Sequence, residues 1–244
     1  MAHVEKQIVG TFISGGGSTV LEIFRATCDG RLSNTELRLI ASSRPEKISD
    51  KLKEEVPPEL FVEVRPENYR TREEYGEALI KAARAVRADI IGQYGHTPLT
   101  PENVIVEFPQ MINQHPGPID PGPHDFGGRG MSSADRVHTA RLLFVRETRR
   151  NFWTEVTAQR VSTAFDAGKV LKRGSVEIRP DDTVETLGKR AILVEREIQV
   201  ATLKDFEEGT VVELPPYPDL VLRHEIPILI WAKKAAQYLY PPEK

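Results

Sequence analysis

Between Gln7 and Gly95, short apolar runs alternate with segments of helical spacing, and no other feature of the chain restricts the fold so tightly. QIVGTFIS (Gln7 to Ser14) is an apolar run that stops at Gly15-Gly16-Gly17-Ser18. STVLEIFRATCDG then places apolar residues at Val20, Leu21 and Phe24 and ends at Gly30. This is the pattern of strand, glycine loop and helix. ELRLIASS (Glu36 to Ser43) reads as a second strand, PEKISDKLKEE as a charged helix and ELFVEVR as a third strand. TREEYGEALIKAARAVRA reads as a helix, and DIIGQYG (Asp89 to Gly95) as the strand after it. Strands that alternate with helices are joined by right-handed parallel crossovers. The expected fold class is therefore α/β, a doubly wound, mostly parallel central sheet flanked by helices.

The second half changes character. VIVEFPQMINQH offers one or two short strands, and MSSADRVHTARLLFVRE (Met131 to Glu147) an amphipathic helix. WTEVTAQRVS (Trp153 to Ser162) alternates as a strand does, and GKVLKRGSVEI adds further strand material. DDTVETLGKRAILVEREIQVATLKDF (Asp181 to Phe206) reads as one long helix, with Asp182 or Thr183 placed to cap it. LPPYPDL breaks the pattern. The tail, with its helix-like IPILIWAKKAAQYLY, reads as an appendage packed on the core or at a subunit contact, so a homodimer is one expectation.

Size and charge narrow the function classes. A chain of 244 residues with 39% apolar content can build one sizeable core, or one domain with a small appendage. Acidic and basic residues are interleaved and the net charge is -3, so nothing resembles a nucleic-acid-binding face. Cys28 is the only cysteine, which excludes an intrachain disulfide. No apolar run is long enough to span a bilayer, and MAHVEKQIVG lacks the core of a signal peptide. A cytoplasmic protein without membrane or nucleic-acid partners is expected.

Three places can carry chemistry. The first is Ser14-Gly15-Gly16-Gly17-Ser18-Thr19, where glycines permit a tight turn and let backbone N–H groups face an anion at a helix N-terminus. No Lys follows, so it is not a Walker loop, and it lacks the full dinucleotide fingerprint. Taken alone it is equally an ordinary strand-to-helix turn. The second is Asn113-Gln114-His115-Pro116-Gly117. On an extended strand, residues i and i+2 share a face, so an amide and an imidazole become neighbours. Together they can polarise a carbonyl and stabilise the oxyanion formed when it is attacked. A hydrogen-bonded turn with a structural His is the plainer alternative. The third is Ser162-Thr163-Ala164-Phe165-Asp166-Ala167-Gly168. Asp166 is either a turn residue or a carboxylate that orients an imidazole and accepts a proton. Spacing does not establish that it meets His115. Of the other histidines, His96 and His124 lie in loops near the presumed cleft, while His3, His138 and His224 are weaker candidates. No Cys/His spacing suggests zinc, and no other metal is expected.

In their order, these elements resemble the folate-dependent formyltransferases. The resemblance rests on a Gly-Ser loop after the first strand, then Asn-x-His-Pro, then Asp-x-Gly about fifty residues later within RVSTAFDAGKVL. It runs from about Ile8 to Leu203. It implies a Rossmann-like formyltransferase domain over residues 1–206, with substrate and phosphate bound by its N-terminal half and formyl-folate by its C-terminal half, and an extension over 207–244. It implies direct transfer of a formyl group from 10-formyltetrahydrofolate to an amine, with Asn113, His115 and Asp166 as the catalytic set. Asn113 and protonated His115 would stabilise the oxyanion, and Asp166 would support the charged His and assist proton removal. Gly15, Gly16, Gly17, Ser18 and Thr19 would hold a substrate phosphate. Tyr94, Gly95, His96, Thr97, Leu99 and Phe165 would contact the folate. The loop Gly117 to Gly130 would border the cleft.

The chain also departs from the family pattern. It has Thr19 where the loop usually has Asn, YGHTPLT where Met-Arg is common, Gly117-Pro-Ile-Asp-Pro after His-Pro, and Ala158-Gln159 where Val-His is usual. Glycinamide ribonucleotide is the leading amine implied. Another amine, such as that of an amino-sugar nucleotide, and a non-catalytic folate- or nucleotide-binding module are the alternatives.

Overall fold

The computed structural model describes residues 6–119, 125–215 and 220–241. Its strands follow the order β3-β2-β1-β4-β5-β6-β7 in one seven-stranded sheet. The chain divides into two compact units, the first made of Met1–Gln114, Arg160–Thr163 and Gln199–Val211, the second of His115–Gln159, Ala164–Ile198 and Val212–Lys244.

Unit 1 carries β1 (Gln7–Ile13), β2 (Thr35–Ser42), β3 (Phe61–Glu63), β4 (Ile90–Gln93) and β5 (Met111–His115), whose last residue belongs to unit 2. Each neighbouring pair, β3–β2, β2–β1, β1–β4 and β4–β5, is parallel. Six of the seven residues of β1 are buried. Burial on both faces explains why this strand reads as a continuous apolar run rather than an alternation. The intervening helices are α1 (Ser18–Cys28), α2 (Asp50–Glu55), α3 (Arg72–Ala85) and α4 (Glu102–Glu107). Tyr75, Leu79, Ile80 and Ala83 of α3 pack against Phe12, Leu39 and Ile91 of the sheet, at the helical spacing the sequence predicts. The strand order reverses between β1 and β4, and such a reversal opens a crevice past the carboxyl ends of the two strands.

Two expectations need correction here. The charged segment PEKISDKLKEE is not one helix: Pro45–Lys47 forms a 3-10 turn, and α2 starts afresh after Ser49, whose hydroxyl accepts from the Leu52 N–H. VIVEF is not a strand. Its first four residues belong to α4, which follows Pro101 and buries Val104 while Val106 is exposed, and Phe108 ends the helix. A short apolar run carries no period long enough to separate the two readings, and the preceding proline suits a helix start.

Unit 2 contains α5 (Ala134–Thr148), the antiparallel pair β6 (Trp153–Arg160) and β7 (Val170–Glu177), the first part of α6 (Val184–Glu208), and α7 (Ile226–Leu239). Both predicted capping residues act at the start of α6. Thr183 Oγ1 accepts from the Thr186 N–H, and Asp182 accepts from the Thr186 hydroxyl and the Arg179 N–H. The tail helix is built into this unit. Leu229, Ala232 and Ala236 of α7 share a core with Val137, Ala140 and Phe144 of α5, and with Phe126. Arg141 is fully buried beneath that core, 5.0 Å from the ring centroids of Phe126 and Trp153. It donates to the carbonyls of Trp153 and Asn151, and burial pushes its pKa down to about 9. Trp231 and Tyr238 of α7 stay exposed.

Candidate active site

In unit 1, the ends of β1 and β4 are tied to each other. The Ser14 N–H donates to the Gly95 carbonyl at 3.2 Å, and the Thr97 N–H donates to Ser14 Oγ at 3.0 Å. Ser14 Oγ also lies 2.6 Å from Ser43 Oγ. The glycine loop and the segment after β4 are therefore one structure at the crevice of this unit. Gly16 and Gly95 are exposed, as is Thr97. Ser49 Oγ donates to the Gly16 carbonyl at 2.8 Å and holds the loop from its other side. Gly17 caps α1 with φ of 73°, a left-handed conformation, and no side chain caps the helix. A helix N-terminus of this kind, without a side-chain cap, is where backbone N–H groups can face an anion.

Gly17 has a second constraint. A Cβ there would come within 2.5 Å of Leu52 Cδ2. Gly17→Ala is expected to destabilise the protein by about 2 kcal/mol, from the positive φ together with the clash. Urea unfolding of the two proteins measures it, and an unchanged midpoint would refute the account.

The residues after β4 differ in what they offer. Tyr94 is only 3% exposed, with its ring over Gly92, and burial raises the pKa of its hydroxyl. His96 and Leu99 are half-buried. His96 lies 3.4 Å from the Tyr75 hydroxyl through Nε2, and burial lowers its pKa to about 4. Asn113 sits on β5 opposite Gln93 of β4.

In unit 2, His115 ends β5 and is 3% exposed. Its Nδ1 is 3.0 Å from the Gly117 carbonyl. A carbonyl only accepts, so Nδ1 carries the hydrogen, and Nε2 is the nitrogen left for chemistry. Nε2 has no hydrogen-bond partner among the described residues and lies 3.7 Å from Asp166 Oδ2. The structure thus brings together two residues that spacing alone could not join. Asp166 is itself held on both oxygens. The Gly128 N–H donates to Oδ2 at 2.8 Å, and Gln159 Nε2 donates to Oδ1 at 3.0 Å. Asp166 has φ of 53°, a conformation uncommon for residues other than glycine, and it sits so close to Gly127 that a Cβ there would be 2.8 Å from the Asp166 Cβ. Two glycines of the Pro/Gly run meet such close approaches: a Cβ at Gly117 would collide with Val137, and the bare Gly127 leaves room for Asp166 to accept from the Gly128 N–H.

Next to this pair is Asp125, whose pKa burial raises to about 6 against the opposing influence of Lys233, His115 and the Gly127 N–H. Phe165 is 38% exposed. His138 is buried on α5 and His224 exposed in the tail, while His3 and His124 lie outside the described residues. Among the described residues, no group of His, Cys, Asp and Glu is placed to hold a metal ion, and no helix is long and apolar enough to cross a membrane.

Residues 6–203 match the family model described as formyl transferase. The chain belongs to the formyl transferase family. A relative, the chloroplastic phosphoribosylglycinamide formyltransferase of Arabidopsis thaliana, is 25% identical over 196 residues, which cover 79% of this chain and 62% of that protein. The chain therefore spans less than two thirds of that relative. Among solved structures, glycinamide ribonucleotide transformylase 1 of Symbiobacterium toebii aligns with a TM-score of 0.71 at 21% identity, covering 86% of this chain and 91% of that one. Phosphoribosylglycinamide formyltransferase of Bacillus halodurans aligns at 0.67 and 22% identity, covering 89% and 100%. At these identities the likeness to solved structures is one of fold, and it agrees with the doubly wound, mostly parallel sheet.

Of the residues around the His115–Asp166 pair, Gly128 was expected as part of a loop bordering the cleft, Gln159 stood out only as a departure from the family pattern, and Asp125 and Lys233 carried no recognisable motif. Lys233 did leave a trace, because it interrupts the apolar stripe of Leu229, Ala232 and Ala236 on one face of α7.

Proposed function

We propose that this formyl transferase moves the formyl group of 10-formyltetrahydrofolate to the amine of a phosphorylated small molecule, with glycinamide ribonucleotide as the leading substrate. Beyond family membership, one observation carries the reading: a buried imidazole whose Nδ1 is fixed presents Nε2 to a carboxylate 3.7 Å away. In the transfer, the amine nitrogen bonds to the formyl carbon and the bond from that carbon to the donor nitrogen breaks. One proton passes from the amine to the released nitrogen.

The chain's own groups supply what this needs. His115, once protonated, donates from Nε2 to the oxygen on which negative charge develops, and the Asn113 amide is a second donor. Asp166 balances the imidazolium and accepts the proton leaving the amine. The phosphate goes to Gly15, Gly16, Gly17, Ser18 and Thr19 at the uncapped start of α1. Tyr94, Gly95, His96, Thr97, Leu99 and Phe165 are assigned to the folate. The unit 1 residues suit an uncharged heterocycle, since His96 is held neutral, Gly95 is exposed, and Gln114, whose amide nitrogen lies near Gly95, has a buried Oε1 with no partner among the described residues.

The test is a transfer assay with purified protein, 10-formyltetrahydrofolate and glycinamide ribonucleotide, following tetrahydrofolate and formylated product. Turnover of roughly 1 to 10³ per second is expected, the ordinary range for an enzyme on its own substrate. Folate binding without turnover moves the amine elsewhere, with an amino-sugar nucleotide next, a shift that Thr19, the YGHTPLT segment and Gln159 motivate. Binding without product from any amine favours the non-catalytic module.

A further inference from the structure

The mechanism leaves unused a half-buried lysine on the tail. Lys233 of α7 donates from Nζ to the Asp125 carbonyl at 3.1 Å and to the Gly127 carbonyl at 2.6 Å. Its Nζ is also 4.0 Å from Asp125 Oδ1. The Gly127 carbonyl and the Gly128 N–H belong to a single peptide group. One side of that group accepts from the lysine, and the other donates to Asp166 Oδ2. A cation on the oxygen of an amide draws electron density toward it and makes the N–H a stronger donor, the cooperative effect expected along hydrogen-bond chains. The planar peptide also fixes where that N–H points.

We propose that Lys233 is a positioning residue for formyl transfer: through the Gly127–Gly128 peptide it holds the Asp166 carboxylate in place opposite His115. The inference rests on the proposed function for its catalytic consequence, though not for its geometry. Three features mark Lys233 as built in. It is half-buried, and burial lowers its pKa while Asp125 and Asp166 hold it up. The helix that carries it is seated in the core of unit 2 by Leu229, Ala232 and Ala236. The end of that helix is clamped as well, because Arg136 donates to the Tyr240 carbonyl at 2.6 Å and to the Gly130 carbonyl at 3.1 Å. The neighbouring Lys234 is exposed and serves as the control.

The experiment compares Lys233→Met, Lys233→Arg and Lys234→Met with the parent protein in two measurements. The first is steady-state transfer. Lys233→Met is expected to lose about 10-fold or more in kcat with KM for both substrates within about 2-fold, the signature of a group acting on the reaction rather than on binding. Lys233→Arg should recover part of that loss, and Lys234→Met should lose nothing. The second is amide hydrogen exchange at Gly128, which needs no substrate. Lys233→Met should accelerate exchange at Gly128 by about 10-fold while the amides of β1 and β4 keep their protection, because a local opening has been eased and not a global one. Unchanged Gly128 exchange overturns the proposal. So does a loss of kcat matched by a general loss of protection and a lowered Tm, since that describes a structural lysine. If the parent protein transfers no formyl group at all, the functional reading has failed, and the Gly128 measurement still decides the positioning.

Discussion

His115→Ala is expected to lower kcat by about 10³-fold, with the protein still folded. The size follows from the loss of a charged donor to the oxygen on which negative charge develops, worth about 10² to 10³ in kcat. The residues in contact with the imidazole or its partner are poor substitutes. Asp166 is an acceptor, and Gln159 already spends one amide hydrogen on it. His138 is a poor substitute, since burial and the proximity of His115 hold its pKa near 4. The fold should tolerate the change because the ring's own hydrogen bond is a local one to Gly117, within the same turn. Circular dichroism and a thermal melt report on the fold, and single-turnover kinetics on the chemistry. Turnover within about 3-fold of the parent protein would remove His115 from the mechanism, since a group worth a factor of 10² cannot vanish so quietly.

Asp166→Asn separates charge from shape. The asparagine side chain has the same outline, but it faces two donors, the Gly128 N–H and the Gln159 amide. An aspartate satisfies both. An asparagine has one oxygen and one amino group, so one donor would meet another donor unless Gln159 turns over. Gln159 is free to do so in hydrogen-bonding terms, because its Oε1 has no partner among the described residues and would accept from the new amino group. Stability should therefore change by less than about 1.5 kcal/mol, the net worth of a single hydrogen bond. Catalysis should fall by about 10² to 10⁴, because the imidazolium loses its counter-charge and the amine loses its proton acceptor. A melt and a kcat measurement on the same preparation make the comparison. Equal damage to both would mean that Asp166 only closes the turn.

How far a sequence reaches depends on whether the information is local. The first strand, glycine loop and helix were legible because period and punctuation agree at every residue from Gln7 to Gly30. The segment VIVEF was not, because five apolar-rich residues fit a strand as well as a turn of helix, and only the flanking Pro101 argues for the latter. Asn113, His115 and Asp166 stood out through the order of the motifs. The approach of His115 to Asp166 could not be read, because it depends on a left-handed turn at Asp166 and on the closeness of Gly127, neither of which a spacing records. The tail was legible as a helix packed on the core or at a subunit contact, without a choice between the two. Its apolar stripe says that it packs, but the partner, α5, is set by the tertiary arrangement.

The seating of α7 has a consequence for how the molecule comes into being. A ribosome delivers the chain from its N-terminus, and domains tend to fold as their sequence emerges. The sheet strands β1 to β5 are all made within the first half of the chain. The second unit is assembled from three separate stretches, and Phe126, Val137 and Phe144 find part of their apolar cover only in Leu229, Ala232 and Ala236. Throughout the intervening synthesis those side chains lack that cover. The nascent protein therefore spends its longest vulnerable interval with the half that carries His115 and Asp166 unfinished, and a chain that stops short of α7 keeps an exposed apolar surface on α5 for chaperones and proteases to find.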